Sequence, residues 1–363
     1  MHTKAPTLIS IAFVLPSFAG GGAQKVMITL ASRLDRARFS PFFVVFEASG
    51  AWRSLVPADM PVISVERSSL RAALPKLIRT LRRERPHVIV STLAYVNAGL
   101  LLTKPFLPSR TRFIVREANT PRHHAQSNVG RLAYYLAYRL LYPWADKIIC
   151  PASSLAEELA ATYGLDRKRI AVINNPVDEK TIRAEAEEPK RRSGTGRRFV
   201  AVGRLTEQKG FDRLLQDFAQ LPGDSHLVIF GEGELHAKLQ QQIEGLGLAG
   251  RAVLAGFEPQ PGAWIAGADA LLLPSRWEGL PNVALEALAC GAPVIATPES
   301  GGITEIAAQA ATGAVTLAQS GAAFVTAMLA VAPRLDRNLY PSLLPSCYKL
   351  EQASTKFASI LAE

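Results

Sequence analysis

Two glutamates and two cations stand out by type and spacing. Glu278 and Glu286 have seven residues between them in "WEGLPNVALEALACGAPVIATP", and Arg204 and Lys209 lie five apart in "VGRLTEQKGFDRL". Pro281 is placed as a first-turn proline, because Gly279 and Leu280 before it read as loop. The start of the helix that follows offers unpaired N–H groups and a partial positive charge, which suit phosphate oxygens. Glu278 then lies in the loop entering that helix and Glu286 about a turn inside. Carboxylates there can accept from sugar hydroxyls, although two acids that merely stabilise the helix dipole would look the same. Arg204, just past a strand end, and Lys209, in the turn before a helix, could clamp a diphosphate, the first as a fork and the second as a point charge. Gly203 and Gly210 keep the backbone slim around them. Two exposed loop cations would share the spacing.

A second feature is "GGG", Gly20, Gly21 and Gly22, between the strand-type run "LISIAFVLPSFA" and the helix-type run "AQKVMITLASRL". Bare backbone lets N–H groups come close to an anion or a sugar. This is not the G-x-G-x-x-G fingerprint. A dehydrogenase would also want an acid about 20 residues on, and Glu47, ending "PFFVVFE", comes a few residues late. That reading leaves the paired glutamates and the Arg/Lys pair unexplained. "FGEGEL" and "LAGFEP" are further glycine turns, and singly they mark only turns.

The elements that must position these groups follow a regular plan. In the first half "LISIAFVL", "SPFFVVFE", "PHVIVST", "RFIVREA", "KIICPA" and "RIAVINN" are β-rich, and "AQKVMITLASRL", "SLRAALPKLIRTLRRE" and "GRLAYYLAYRLLY" are helical. After the polar stretch "EKTIRAEAEEPKRRSGTGRR" the plan restarts with "RFVAVGRL" and runs through "HLVIFGEG", "AVLAGF", "DALLLPS" and "PVIATPE", each followed by a helical segment. The β-runs are apolar throughout, which suits strands covered on both faces and a parallel sheet of βαβ units. The expected fold class is α/β, with two facing doubly wound Rossmann-like domains and a deep cleft between them. The expected division is 1–178, a linker over 179–197, 198–345, and a C-terminal helix over 346–363 that packs back on the first domain. Ligands bind such sheets at the carboxyl ends of the strands, so the cleft is the expected site.

Bulk properties narrow the classes. The 363 residues are 48% apolar and 20% charged, which is globular, and no apolar run approaches the roughly 18 to 20 residues of a membrane-spanning helix. Met1 to Ala19 reads as a buried first strand ahead of a secretory leader, because Pro16 interrupts its apolar part. Cys150, Cys290 and Cys347 are odd in number and far apart, with neither metal spacing nor a disulfide framework. A reducing cytosol and no bound metal are expected. Residues 1–180 hold 25 Lys and Arg against 12 Asp and Glu, net +13, whereas residues 181–363 hold 16 against 19, net −3. The basic half should be drawn to an anionic partner.

"GRLTEQKG", "FGEGEL", "GF", "EGLPNVALE", "GAPVIAT" and "SGGITEI", in that order, resemble the C-terminal half of glycosyltransferase family 4, and "GGGAQKVMITLASRL" and "INNPVD" are similar to its N-terminal half. The resemblance spans nearly the whole chain and is densest over 200–306. It implies the GT-B fold and a retaining glycosyltransferase of the kind that builds bacterial surface glycans or lipid-linked oligosaccharides. It further implies that Arg204 and Lys209 hold a donor diphosphate, that Glu286 binds the ribose, and that Glu278 contacts the transferred sugar. Gly279, Leu280, Pro281, Asn282 and Val283 would face phosphate or sugar through their backbone. The chain near Phe257 would border the base, and Gly20, Gly21 and Gly22 would approach the diphosphate and the acceptor. The nucleotide sugar is then a co-substrate, a UDP-sugar ahead of a GDP-sugar, and no cofactor is expected.

One segment departs from the family. Many members carry a His just after the fourth strand, whereas "VREANTPRHH" ends its strand in Arg116, Glu117 and Asn119, with His123 and His124 later. Glu117 and Asn119 are the acceptor-side candidates, and the two His also fit a solvated loop. Two basic segments point to an anionic membrane surface: "LPKLIRTLRRERP", and a stretch holding Arg131 and Arg139 beside Tyr134, Tyr135, Tyr138, Tyr142 and Trp144. Each would also serve as domain core or solvated helix end. The expected partners are a nucleotide sugar, a lipid-linked or glycan acceptor, and the inner face of the cytoplasmic membrane. Nucleic acid is not expected, since no stacking motif or recognised module is present. A catalytically weak sugar-nucleotide-binding subunit is the alternative.

Overall fold

The β-rich runs become parallel strands because both of their faces are buried. Ile11 through Leu15 have no exposed surface, and Ala270 through Leu273 are equally enclosed. The computed structural model describes residues 8–19, 21–119, 128–190, 196–334 and 338–363. Gly20, His123 and His124 lie outside the described residues. The chain forms two compact units, Met1–Pro176 with Glu351–Glu363, and Val177–Leu350.

The first unit runs β1 (Ile9–Leu15), α1 (Gly22–Ser32), β2 (Phe39–Val45), β3 (Val62–Ser64), α2 (Leu70–Glu84), β4 (Val88–Thr92) and α3 (Ala94–Thr103), then β5 (Arg112–Arg116), α4 (Asn128–Leu140), β6 (Lys147–Cys150), α5 (Ser153–Tyr163) and β7 (Ile170–Val172). Its sheet order is β3-β2-β1-β4-β5-β6-β7, parallel at every pairing. Helices α2 to α5 cover one face, and α1 covers the other. The second unit runs α6 (Glu179–Glu185), β8 (Arg198–Val202), α7 (Phe211–Phe218), β9 (His226–Phe230), α8 (His236–Gly245) and β10 (Ala252–Leu254), then α9 (Gly262–Ala266), β11 (Ala270–Leu273), α10 (Asn282–Ala289), β12 (Val294–Ala296), α11 (Ile303–Gln309), β13 (Val315–Leu317) and α12 (Ala322–Ala330). Its sheet order is β10-β9-β8-β11-β12-β13, again parallel.

Each sheet reverses its winding once, between β1 and β4 in the first and between β8 and β11 in the second. Such switch points open a crevice at the carboxyl ends of the strands. The glycine loop leaves β1, and the Arg204/Lys209 and Glu278 loops leave β8 and β11, so the candidate groups sit at the switch point of their own sheet.

The last helix, α13 (Leu350–Ala362), joins the first unit from Glu351 onward. It covers the α1 face, with Ala353, Phe357, Ile360 and Leu361 buried in that core. The Phe357 ring lies 6.1 Å from that of Phe13. Arg112 donates to the terminal carbonyls of Ile360 and Leu361 at 3.0 and 3.2 Å, supplying the positive charge that a helix C-terminus favours. The second unit is closed by its own ends, since Val177 N–H donates to the Tyr348 carbonyl at 3.0 Å and Leu350 N–H to that of Val177 at 3.1 Å. The polar segment begins with a helix, α6, capped by Asp178 and packed against α9 and α10.

Candidate functional site

Lys209 and Glu278 meet. The β8 strand ends at Val202, the chain makes one tight turn over Glu207–Lys209, and α7 begins after Gly210. This returns the Lys209 side chain to the sheet edge, where its Nζ lies 2.5 Å from Oε1 of Glu278 in the loop leaving β11. The pair is 16% and 10% exposed at the side chains, so it is screened by water far less than a surface pair. Ser275 Oγ donates to the same carboxylate oxygen at 2.8 Å, and Gln208 Nε2 reaches the other at 3.4 Å. Arg204 is exposed and donates to the Gln208 side chain at 3.3 Å. The four residues from two loops thus form one chain, Arg204–Gln208–Glu278–Lys209. Lys209 was expected to face a diphosphate, and here its counter-ion is Glu278, which was expected to face a sugar.

Glu286 lies in the body of α10, half-buried, and Pro281 caps that helix with Asn282 as its first residue, one position later than expected. Gly279, Leu280 and Pro281 are buried, while Asn282 and Val283 are half-buried. Phe257 is 45% exposed just beyond β10. Gly21 is the N-cap of α1 in an extended conformation, and Gly22 opens the helix; that end of the helix carries no side-chain cap.

Two glycines explain motifs whose residues carry no chemistry. A Cβ at Gly231 would lie 1.9 Å from the Gly203 carbonyl oxygen, and φ there is +144°; "FGEGEL" therefore lets the loop after β9 press against the loop that carries Arg204. At Gly301, with φ +60°, a Cβ would lie 2.1 Å from the Glu278 carbonyl oxygen, so "SGGITEI" lets the loop after β12 support the Glu278 loop. Backbone packed this closely admits only glycine.

Several supports escape the sequence. Arg213 on α7 donates to the Pro274 carbonyl at 2.6 and 2.8 Å and to that of Ser275 at 2.9 Å, and Arg276 forms a two-pronged pair with Asp212 at 2.7 and 2.8 Å. These tie α7 to the loop that presents Glu278. A lone Arg on an amphipathic helix gives no sign of partners some 61 positions away.

In the first unit Glu117 corrects its expected role. It has no exposed surface, and its carboxylate takes hydrogen bonds from Tyr138 at 2.9 Å, from Tyr142, and from Asn97 at 3.0 Å. So enclosed, it fastens α4 to the end of β5 and presents no face to an acceptor. Tyr138 and Tyr142, expected at a membrane, are consumed by the same cluster. Asn119 is half-buried. Arg116 is buried beside Glu117 and donates to Asn175.

Burial pushes the Glu117 carboxyl up to about 7 from its ordinary 4.5, against the lowering effect of its hydrogen-bond donors. A carboxyl raised in the folded state favours folding most below 4.5, and that contribution is lost as pH rises through about 7. Thermal unfolding should show Tm falling over that window, and Glu117→Gln should flatten the fall. Equal slopes in both proteins would show that Glu117 stays ionised throughout.

Among the described residues no group of three His, Cys, Asp or Glu side chains is placed to hold a metal ion, and no helix is long and apolar enough to cross a membrane. Two family models match the chain: Glycosyltransferase Family 4 over residues 20–181, and Glycosyl transferases group 1 over 182–332. The chain is 27% identical over 303 residues to the N-acetylgalactosamine-N,N'-diacetylbacillosaminyl-diphospho-undecaprenol 4-alpha-N-acetylgalactosaminyltransferase of Campylobacter jejuni, covering 80% of this chain and 81% of that one. It is 25% identical to the lipopolysaccharide core biosynthesis glycosyltransferase LpsE of Rhizobium meliloti, covering 77% of each. Among solved structures, Anabaena HepE in complex with UDP-glucose shares the fold with a TM-score of 0.77 at 18% identity, over 97% of this chain and 99% of that one.

Proposed function

The chain belongs to glycosyltransferase family 4, and from that premise we propose that it transfers a sugar, with retention of configuration, from a nucleoside-diphosphate sugar to a lipid-linked or surface-glycan acceptor at the inner face of the cytoplasmic membrane. The relatives named above act in bacterial glycan assembly, and one acts on a diphospho-undecaprenol substrate. The observation that carries the reading is the Lys209–Glu278 pair at the switch point of the second sheet, with Arg204 one residue away through Gln208.

As the bond from sugar to phosphate breaks, charge gathers on the departing diphosphate. Arg204, Lys209 and the N-terminal N–H groups of α10 stabilise it electrostatically, the role in which pre-placed positive groups act most strongly. An entering diphosphate competes with Glu278 for Lys209, since both are anionic oxygen donors to one ammonium. Glu278, released from part of that contact, accepts from a hydroxyl of the transferred sugar. Glu286, further along α10, holds the ribose. The acceptor attacks from the face the leaving group departs, and a phosphate oxygen takes its proton. Glu278 positions the sugar and does not attack it. Because these side chains supply the positive charge, activity should persist in EDTA.

A panel of nucleotide sugars tests the reading. Binding to the folded state alone raises Tm by mass action, and UDP-sugars are expected to do so ahead of GDP-sugars, as suits the UDP-glucose complex of the Anabaena protein. Arg204→Ala and Glu286→Ala should each lower turnover of the stabilising sugar by tenfold or more. Wild-type turnover in either variant removes that residue from the site, and a panel without a stabilising member overturns the proposal.

A further inference from the structure

Two polar side chains at the carboxyl edge of the first sheet are enclosed with a hydrogen-bonding group unused. Thr92 ends β4, Arg116 ends β5, and the two stand opposite each other in the parallel register. Val90 and Ile114, two residues earlier on each strand, belong to the core on the α1 face, so Thr92 and Arg116 point to that face as well. Their neighbours along the same row, Ile149 on β6 and Ala171 on β7, are apolar. Thr92 has no exposed surface, and Arg116 is 1% exposed. Among the described residues the Thr92 hydroxyl and Nη1 of Arg116 have no hydrogen-bond partner. Native interiors rarely leave such groups unmet, because the water they gave up is not replaced.

The charge is the larger anomaly. A buried cation is ordinarily paired with an acid. Among the described residues the Arg116 side chain makes one hydrogen bond, to the side-chain oxygen of Asn175, and no ion pair. Glu117, the next residue, sends its carboxylate to the opposite face, to Tyr138, Tyr142 and Asn97. Burial draws the guanidinium down to about 10 from its ordinary 12.5, so it is charged at neutral pH. A buried water would satisfy the hydroxyl but leave that charge without a counter-ion. Two further features sit at the same edge. Leu93, directly after Thr92, has φ +75°, a strained backbone for a bulky residue and of a kind that clusters where ligands bind. Helix α1, which covers this face, starts at this edge, where the glycine loop from the adjacent strand β1 leads into it, and its first turn adds a partial positive charge.

We propose that Thr92 and Arg116 form an anion pocket in the first unit that receives a phosphate group of the acceptor; that an acceptor supplies the phosphate rests on the transfer reading above, whereas the pocket itself does not. Phosphate suits the pair, since the guanidinium fork takes two oxygens and the hydroxyl donates to a third. In the free protein Arg116 is held by a neutral amide alone. An arriving phosphate exchanges that bond for charge-assisted ones as the side chain turns from Asn175 toward the edge of the sheet. The donor diphosphate has the cations of the second sheet, Arg204 and Lys209, so the anion left for the first sheet is the acceptor's. Glu117 was the expected acceptor-side group, and the residue before it takes that place.

Titration calorimetry with inorganic phosphate and with farnesyl diphosphate tests this. The protein carries Arg204→Ala, Lys209→Met and Glu278→Gln, so that the donor-site cations do not contribute. Both probes should bind, farnesyl diphosphate the more tightly because it carries the higher charge. Thr92→Val added to that protein should weaken both by about tenfold or more, and Arg116→Met should abolish binding. In the otherwise unaltered chain Thr92→Val should hold or raise Tm, because it removes an enclosed hydroxyl without a partner and keeps the shape. A fall in Tm would mean that a buried water already satisfies the hydroxyl, which overturns the proposal. So does the absence of phosphate binding, or binding that ignores both variants. Binding of inorganic phosphate without farnesyl diphosphate overturns the assignment to an acceptor. The calorimetry contains no nucleotide sugar, so its failure leaves the transfer reading standing, and failure of the transfer reading leaves the phosphate result standing.

Discussion

Lys209→Ala should lower kcat/KM for the nucleotide sugar by about a hundredfold or more and weaken binding of the free nucleoside diphosphate as well. Removing one pre-placed charge from a developing anion costs about 10²–10³ in rate where the site is shielded from water. Lys209 qualifies, because its side chain is 16% exposed and fixed at 2.5 Å from Glu278. The variant should also lose stability. It leaves the Glu278 carboxylate 10% exposed with Ser275 and Gln208 as donors but without that cation, and an uncompensated charge in such a place is costly. The two effects separate in the double variant Lys209→Met with Glu278→Gln. It should recover Tm, since neither group is charged, yet regain no activity. Steady-state kinetics and thermal unfolding measure both, and a Lys209→Ala protein with near-normal kcat/KM would dismiss Lys209 from the diphosphate site.

Phe357→Ala should destabilise the first unit by about 3–5 kcal/mol, the usual cost of emptying a buried phenyl site. Phe357 has no exposed surface and packs in one core with Phe13, Met27 and Phe43, although nearly the whole second unit separates it from them in sequence. Denaturant unfolding should show the transition of the first unit moving while that of the second holds its midpoint. A change below about 1 kcal/mol would mean that α13 contributes little to that core, since even a modest Ile-to-Val truncation costs about that much.

Glu278 and the Arg/Lys pair could be placed from the sequence because they fall on strand-to-helix loops that βαβ packing must bring to one sheet edge, with Glu286 on the helix that follows. The sequence did not show that Lys209 and Glu278 are each other's partners, since 69 residues separate them and only the order of β8 beside β11 makes them neighbours. Glu117 misled for a related reason. An acid at a strand end looks available until α4 is known to bring Tyr138 and Tyr142 over it. The same two tyrosines, read as membrane-facing from the sequence, turn inward, and the exposed side chains of that helix are the leucines on its opposite side. Helices α3 and α12 escaped notice because their segments, "AYVNAGLLLT" and "AAFVTAMLA", are apolar with little polar face, so they show no 3.6-residue period. Strand β3 is three residues long, too short to mark itself. Helix α5, "SSLAEELAATY", has an amphipathic period and was there to be read.

By itself the sequence determined the class of fold, the restart of the βαβ plan after a polar segment, the family and the loops that carry its charged groups. Those features are periodic or local, and a chain writes them in consecutive residues. The tertiary structure decided which charges pair, which tyrosines turn inward, which leucines stay outside, and that the last helix completes the first core. Each depends on contacts between segments remote in sequence, whose distances are set by strand order and packing and by no spacing along the chain.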